Sequence, residues 1–116
     1  MLIQGQIPRK HKIVRHSENY TMLLADTGTL HTATGGVVRL RLPVGAPIGI
    51  EYYFTVTEQY QLNIDPQATQ KLLAGNDTQD DKYYSANAIG ASMHVCSDEN
   101  GDWMVVSKSE TWTREA

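Results

Sequence analysis

The chain has 116 residues, 41% of them hydrophobic, with a formal net charge of −3 and a single cysteine. That length suits one domain with a modest core, burying about 65% of its unfolded surface. No apolar run approaches the ~20 residues of a bilayer-spanning helix. Cys96, being alone, excludes an intrachain disulfide.

Charge is uneven along the chain. Residues 1–19 carry Arg9, Lys10, Lys12 and Arg15 against Glu18, a net of +3, and the remainder carries −6. Met1-Leu2-Ile3 is followed by Gln4, Gly5, Gln6 and Pro8. That is no signal-peptide pattern, so a cytoplasmic site of synthesis is expected. The segment IQGQIPRKHKIVRHSEN has no helical period and one proline. It reads as an extended basic arm, with room for a short strand at Lys12–Arg15. Such arms commonly order against a partner. Two readings stand side by side: a clamp reaching across a subunit or onto an acidic surface, and a solvated terminus. Nucleic-acid binding is a third, minor reading, because four cations without neighbouring aromatics make a weak nucleic-acid signal. His11 and His16, five apart, are not expected to bind metal.

From Tyr20 to Pro66 the pattern is β. Tyr20, Met22 and Leu24 alternate with Thr21 and Leu23. Val38, Leu40 and Leu42 alternate with Arg39 and Arg41, apolar in and charge out. Tyr52, Phe54 and Val56 alternate with Tyr53, Thr55 and Thr57, and Leu62 and Ile64 flank Asn63. Gly28, Gly35-Gly36 and Pro43-Val44-Gly45-Ala46-Pro47 punctuate these runs where turns are expected.

Beyond Ile64 the signal weakens. Residues 68–75, ATQKLLAG, fit either one helical turn stopping at Gly75 or a loop. Asp77, Asp80 and Asp81 lack the alternating spacing of a calcium loop, so a solvated loop is expected over 76–82. KYYSANAIG restarts a strand. Ser92–Cys96 and Trp103–Ser107 then predict a hairpin around Asn100-Gly101, a dipeptide that tolerates positive φ. Asp98, Glu99 and Asp102 are expected to serve that turn. His94 shares a face with Cys96 and is expected to be structural, and Cys96 a buried, inert thiol. Trp103 heads the last good strand, placed to close one end of a sandwich. Trp112, in the tail, has two candidate seats, the body of the domain or a neighbour.

These elements predict an all-β domain over residues 20–116, preceded by the arm over 1–19. An antiparallel sandwich or a jelly-roll-like barrel of about seven to nine short strands both fit. No nucleophile–base pair, convergent carboxylates or Gly-rich phosphate loop stand out, so no catalytic residue, metal or cofactor is expected.

The order YTMLLADTGTLHTA, a glycine pair, VVRLRLP, GIEYYFTVT, QLNIDP, a polar loop, then KYYSANAIGASMHVCSDENGDWMVVSKSETWT resembles a small β domain of tailed-bacteriophage virion proteins. That domain recurs in head decoration (cement) proteins and in pieces of fibres and spikes. The resemblance covers roughly residues 20–113. Two departures are visible: MLLA does not alternate strictly, and residues 67–75 carry more lysine and leucine than the usual Gly-rich loop. The resemblance implies a homotrimer on the virion head, made in the bacterial cytoplasm, binding the major capsid protein and neither nucleic acid nor membrane. Arg9, Lys10, Lys12 and Arg15 are then the expected contacts with capsid or subunit. The alternative is a tail fibre, spike or receptor-binding module recognising a host surface glycan.

Overall fold

A computed structural model of the chain describes residues 12–74, 82–109 and 111–116. Eleven strands are present among them: β1 Ile13–His16, β2 Tyr20–Thr21, β3 Leu30–Ala33, β4 Val38–Arg41, β5 Glu51–Thr55, β6 Leu62–Asp65, β7 Leu72–Leu73, β8 Tyr84–Ala86, β9 Ser92–Ser97, β10 Trp103–Lys108 and β11 Thr113–Arg114. One 3₁₀ turn, Leu24–Asp26, is the sole helical element among the described residues. The strands form two sheets. One has six strands in the order β1-β3-β5-β9-β10-β7, the other five in the order β11-β8-β6-β4-β2.

The fold is all-β, as expected, but the sheets are mixed rather than antiparallel. β1, β3 and β5 run parallel, as do β2, β4 and β6, and β7 runs parallel to β10. The cause is the path of the chain. From β1 to β9 every strand is followed by one in the opposite sheet, until β9 passes to β10. A parallel pair needs a long crossover, and here the intervening strand of the other sheet supplies it. The first six strands therefore wind as a two-sheet coil. β9 and β10 form the one hairpin within a sheet among the described residues, pairing Trp103 with Ser97. Its turn is built as the sequence predicts. Gly101 has φ +83°, and one oxygen of Asp98 accepts the N–H groups of Asn100 and Asp102 at 2.8 and 2.9 Å.

Alternation places the core between the sheets. Val38, Leu40, Leu62 and Ile64 from one sheet meet Tyr52, Phe54, Val95 and Trp103 from the other, all at most 1% exposed. Each such side chain contributes roughly 1.5–3 kcal/mol of transfer free energy. Trp112 seats on the body: it is buried, and its indole N–H donates to the Ser92 carbonyl at 2.8 Å. Three local expectations are corrected. Tyr20-Thr21 starts a strand, but the chain then leaves the sheet, so Leu24 is exposed rather than facing inward. The 68–75 region carries strand β7 rather than a helical turn, because the Lys71 N–H donates to the Asp102 carboxylate at 3.0 Å beside β10. Cys96 is half-buried rather than buried, since Met93 and Val95 claim the inward face of β9 and the period of two turns residue 96 outward.

Candidate functional site

The expected contact residues divide between two regions. Arg9 and Lys10, like the acidic loop Asp77, Asp80 and Asp81, lie outside the described residues. Lys12 and Arg15 are exposed on or beside β1, which pairs over four residues with β3 at the edge of the six-stranded sheet. The Leu30 N–H donates to the Lys12 carbonyl at 2.9 Å, which fixes where the chain enters the sheet. Arg15 faces outward opposite Thr32. Its charge reaches Glu58, whose carboxyl is held below the usual range first by the Thr34 hydroxyl at 2.8 Å, then by the Gly35 N–H. Part of the expected arm is thus a strand, because Val14 and His16 have inward places to fill.

Inside that edge lies a network with no local signature in the sequence. His16 Nε2 meets His31 Nδ1 at 2.8 Å, and His31 Nε2 contacts the Thr29 hydroxyl. Thr29 donates to the Asp26 carbonyl. His16 stacks on Tyr20 with centroids 4.7 Å apart, and the Tyr20 hydroxyl donates to the Asp26 carboxylate at 2.7 Å. Assigned from this bonding, His16 Nε2–H donates to His31, and His31 Nε2–H donates to Thr29. Both rings are then neutral and every bond is satisfied. Burial, with the neighbouring His16, pushes His31 down to about 4. Burial also lowers His16, against the pull of Asp26.

A second cluster lies on the outer face of the six-stranded sheet. Tyr53 and His94 stack at 4.1 Å, and Glu51 accepts from the Tyr53 hydroxyl at 2.7 Å while its carboxylate meets His94 Nε2 at 3.0 Å. Each is thus held by the others. Cys96 stands opposite Glu51, and burial and that carboxylate both raise its thiol, which stays protonated at neutral pH. Register extends this cluster into a band across the sheet. Ile13, Leu30, Tyr53 and His94 are aligned on successive strands and meet Ser107 on β10, while Glu51, Cys96, Met104 and Leu73 form a second row two residues along. Ile13 is 51% exposed and Met104 40%.

The five-stranded sheet presents a polar face instead. Arg39, Asn63, Ser85 and Thr113 are aligned across it. The Arg39 guanidinium lies 4.6 Å from the Tyr83 ring centroid and 3.6 Å from Asp65. Beside them Gln61, Ser85, Asn87, Thr111 and Thr113 line an open groove of about 260 Å³. Among the described residues no three His, Cys, Asp or Glu side chains are placed to share a metal ion. No helix among them is long and apolar enough to cross a membrane. No protein-family model matches the chain, and no curated protein matches it in sequence.

Proposed function

We propose that the chain is a tailed-bacteriophage virion structural protein: a homotrimeric decoration protein that binds the major capsid protein of the assembled head and stabilises it. It resides on the head surface, acts through contact area and multiplicity, and transforms no substrate. The observation that carries this reading is the exposed edge strand β1. It holds Lys12 and Arg15 outward, directly after the segment bearing Arg9 and Lys10. The all-β architecture agrees with the virion-type motifs, and the elements fall where those motifs sit: YT on β2, VRLR before Leu42-Pro43, and EYYFT on β5. A ligand that binds only the mature shell stabilises it by RT ln(1 + [L]/Kd), about 4 kcal/mol at a thousandfold Kd. Three arms multiply weak contacts.

Removing residues 1–15 would also remove most of β1, so the test keeps the strand. Arg9, Lys10, Lys12 and Arg15 are replaced together by glutamine. Light scattering should give three times 12.9 kDa for both proteins, while cosedimentation with expanded heads is lost only in the variant. A monomeric wild-type protein, or undiminished head binding by the variant, would refute the reading. The groove lined by Gln61, Asn87 and Thr111 favours one second reading, a module that binds neutral glycan, because amides and hydroxyls match sugar hydroxyls. Glycan-array binding without head binding would select it.

A further inference from the structure

The outer face of the five-stranded sheet holds more hydrogen-bond donors than it uses. Arg39 and Asn63 stand side by side on β4 and β6, in the row that Ser85 and Thr113 continue. Asn63 is 5% exposed. Its side-chain oxygen accepts from the Gln61 amide at 2.7 Å, while its own amide hydrogens meet no acceptor among the described residues. A nearly buried amide in that condition calls for an oxygen. We propose that Arg39 and Asn63 take the carboxylate of an acidic saccharide whose hydroxyls lie in the adjoining groove of Gln61, Ser85, Asn87 and Thr113. This rests on the glycan reading of that groove and adds a carboxylate to what it recognises.

The guanidinium of Arg39 is equally unspent. The Tyr83 ring lies 4.6 Å from it, a contact made through the face of the guanidinium plane. Stacking of that kind leaves the N–H edge open to an acceptor lying in the plane. Asp65 stands 3.6 Å away, close enough for attraction but too far for a hydrogen bond. The carboxylates of this face are committed elsewhere. Asp65 accepts from the Gln67 N–H at 3.0 Å, and Glu115 from the Tyr83 N–H at 3.1 Å. Neither answers the donors of Arg39 and Asn63. On strands about 4.8 Å apart, a guanidinium and an amide match the two oxygens of one carboxylate. The groove begins in the same row at Ser85, two strand spacings or about 10 Å from Arg39. A disaccharide covers that distance, with its hydroxyls among amides and hydroxyls and its acid group on the cation.

The test uses the whole chain and two acidic probes, trigalacturonate and 3′-sialyllactose, each beside its uncharged counterpart, galactotriose and lactose. Binding is read from protein-observed NMR titrations. The proposal expects an acidic probe to bind, with amide shifts at residues 61–63 and 85–87. Its uncharged counterpart should bind at least about tenfold more weakly, and Arg39→Gln should show a similar loss at unchanged circular dichroism. Where that variant fails to fold, salt decides: the wild type's affinity for the acidic probe should fall as salt rises. An uncharged probe that binds as tightly as its acidic counterpart overturns the inference and leaves the glycan reading standing. An acidic probe indifferent to salt and to Arg39→Gln does the same. Binding of no probe overturns the inference, and an empty glycan array would then take the glycan reading with it.

Discussion

Acid should loosen this fold through one buried ring. His31 is fully buried, and its folded-state value of about 4 lies below the 6.5 of an unfolded histidine. Between those values the unfolded chain binds a proton that the folded chain refuses. Stability is therefore unaffected by this group above pH 6.5, falls as pH drops from 6.5 to about 4, and is flat below. The slope approaches about 1.4 kcal/mol per pH unit, and the whole window amounts to about 3 kcal/mol. His16 is shifted in the same direction and adds to the loss. Structurally, one proton is accommodated if His16 swaps tautomer to accept from His31, whereas a second sets two donors against each other at 2.8 Å. The assay is urea unfolding followed by circular dichroism at pH 7.5, 5.5 and 4.0, for the wild type and for His31→Gln. Carboxylates titrate in both proteins, so the difference between their pH profiles isolates the ring. His31→Gln should be less stable at pH 7.5 by about 1–3 kcal/mol, since partners are left unsatisfied, yet should lose markedly less on acidification. Parallel profiles within about 0.5 kcal/mol over the window would refute the argument. So would a His31 proton resonance titrating near 6.5.

Two further substitutions test the fold. Gly101→Ala places a Cβ on a residue at φ +83° and should cost about 1–2 kcal/mol in denaturant unfolding, and an unchanged midpoint would disprove the turn geometry. Trp112→Phe removes the N–H bond to the Ser92 carbonyl and should cost about 1 kcal/mol while altering the near-ultraviolet circular dichroism. If Trp112 instead served a neighbouring subunit, the loss would vanish on dilution to monomer.

Alternation made most strands legible. Val38 and Leu40 inward with Arg39 and Arg41 outward, and Tyr52 and Phe54 inward, are read from a period of two and found as such. The hairpin followed from Asn100-Gly101, a local signal for a local pairing. Direction was not legible, because the period of a strand names its face and says nothing of its neighbour. Parallel alignment of β1 with β3 arises from the chain crossing to the other sheet and back, a property of loop paths rather than of strand residues. The His16–His31 contact was invisible for the same reason. The two residues are fifteen apart, and the parallel pairing of β1 with β3 brings the strands that carry them side by side. Cys96 looked buried because it sits in an apolar run. Counting parity from Val95 and Met93 would have turned it outward.

One element joins the parts. β1 is an edge strand bonded on one side to β3, and its residues alternate between two tasks: Ile13 and Arg15 face outward, while Val14 and His16 turn toward the core. Edge strands are usually short or charged to prevent stray pairing. β2, β7 and β11 satisfy this with two residues each, whereas β1 has four and relies on Arg15. A force applied through Arg9, Lys10 or Lys12 reaches the domain through the same few backbone bonds and the His16 ring. The proposed attachment and the neutrality of the histidine pair are thus linked through one strand. Under the proposed function, protonating the pair weakens the anchor of the segment proposed to contact the capsid, so cosedimentation with heads should fall at a higher pH than the circular-dichroism unfolding of the sheets.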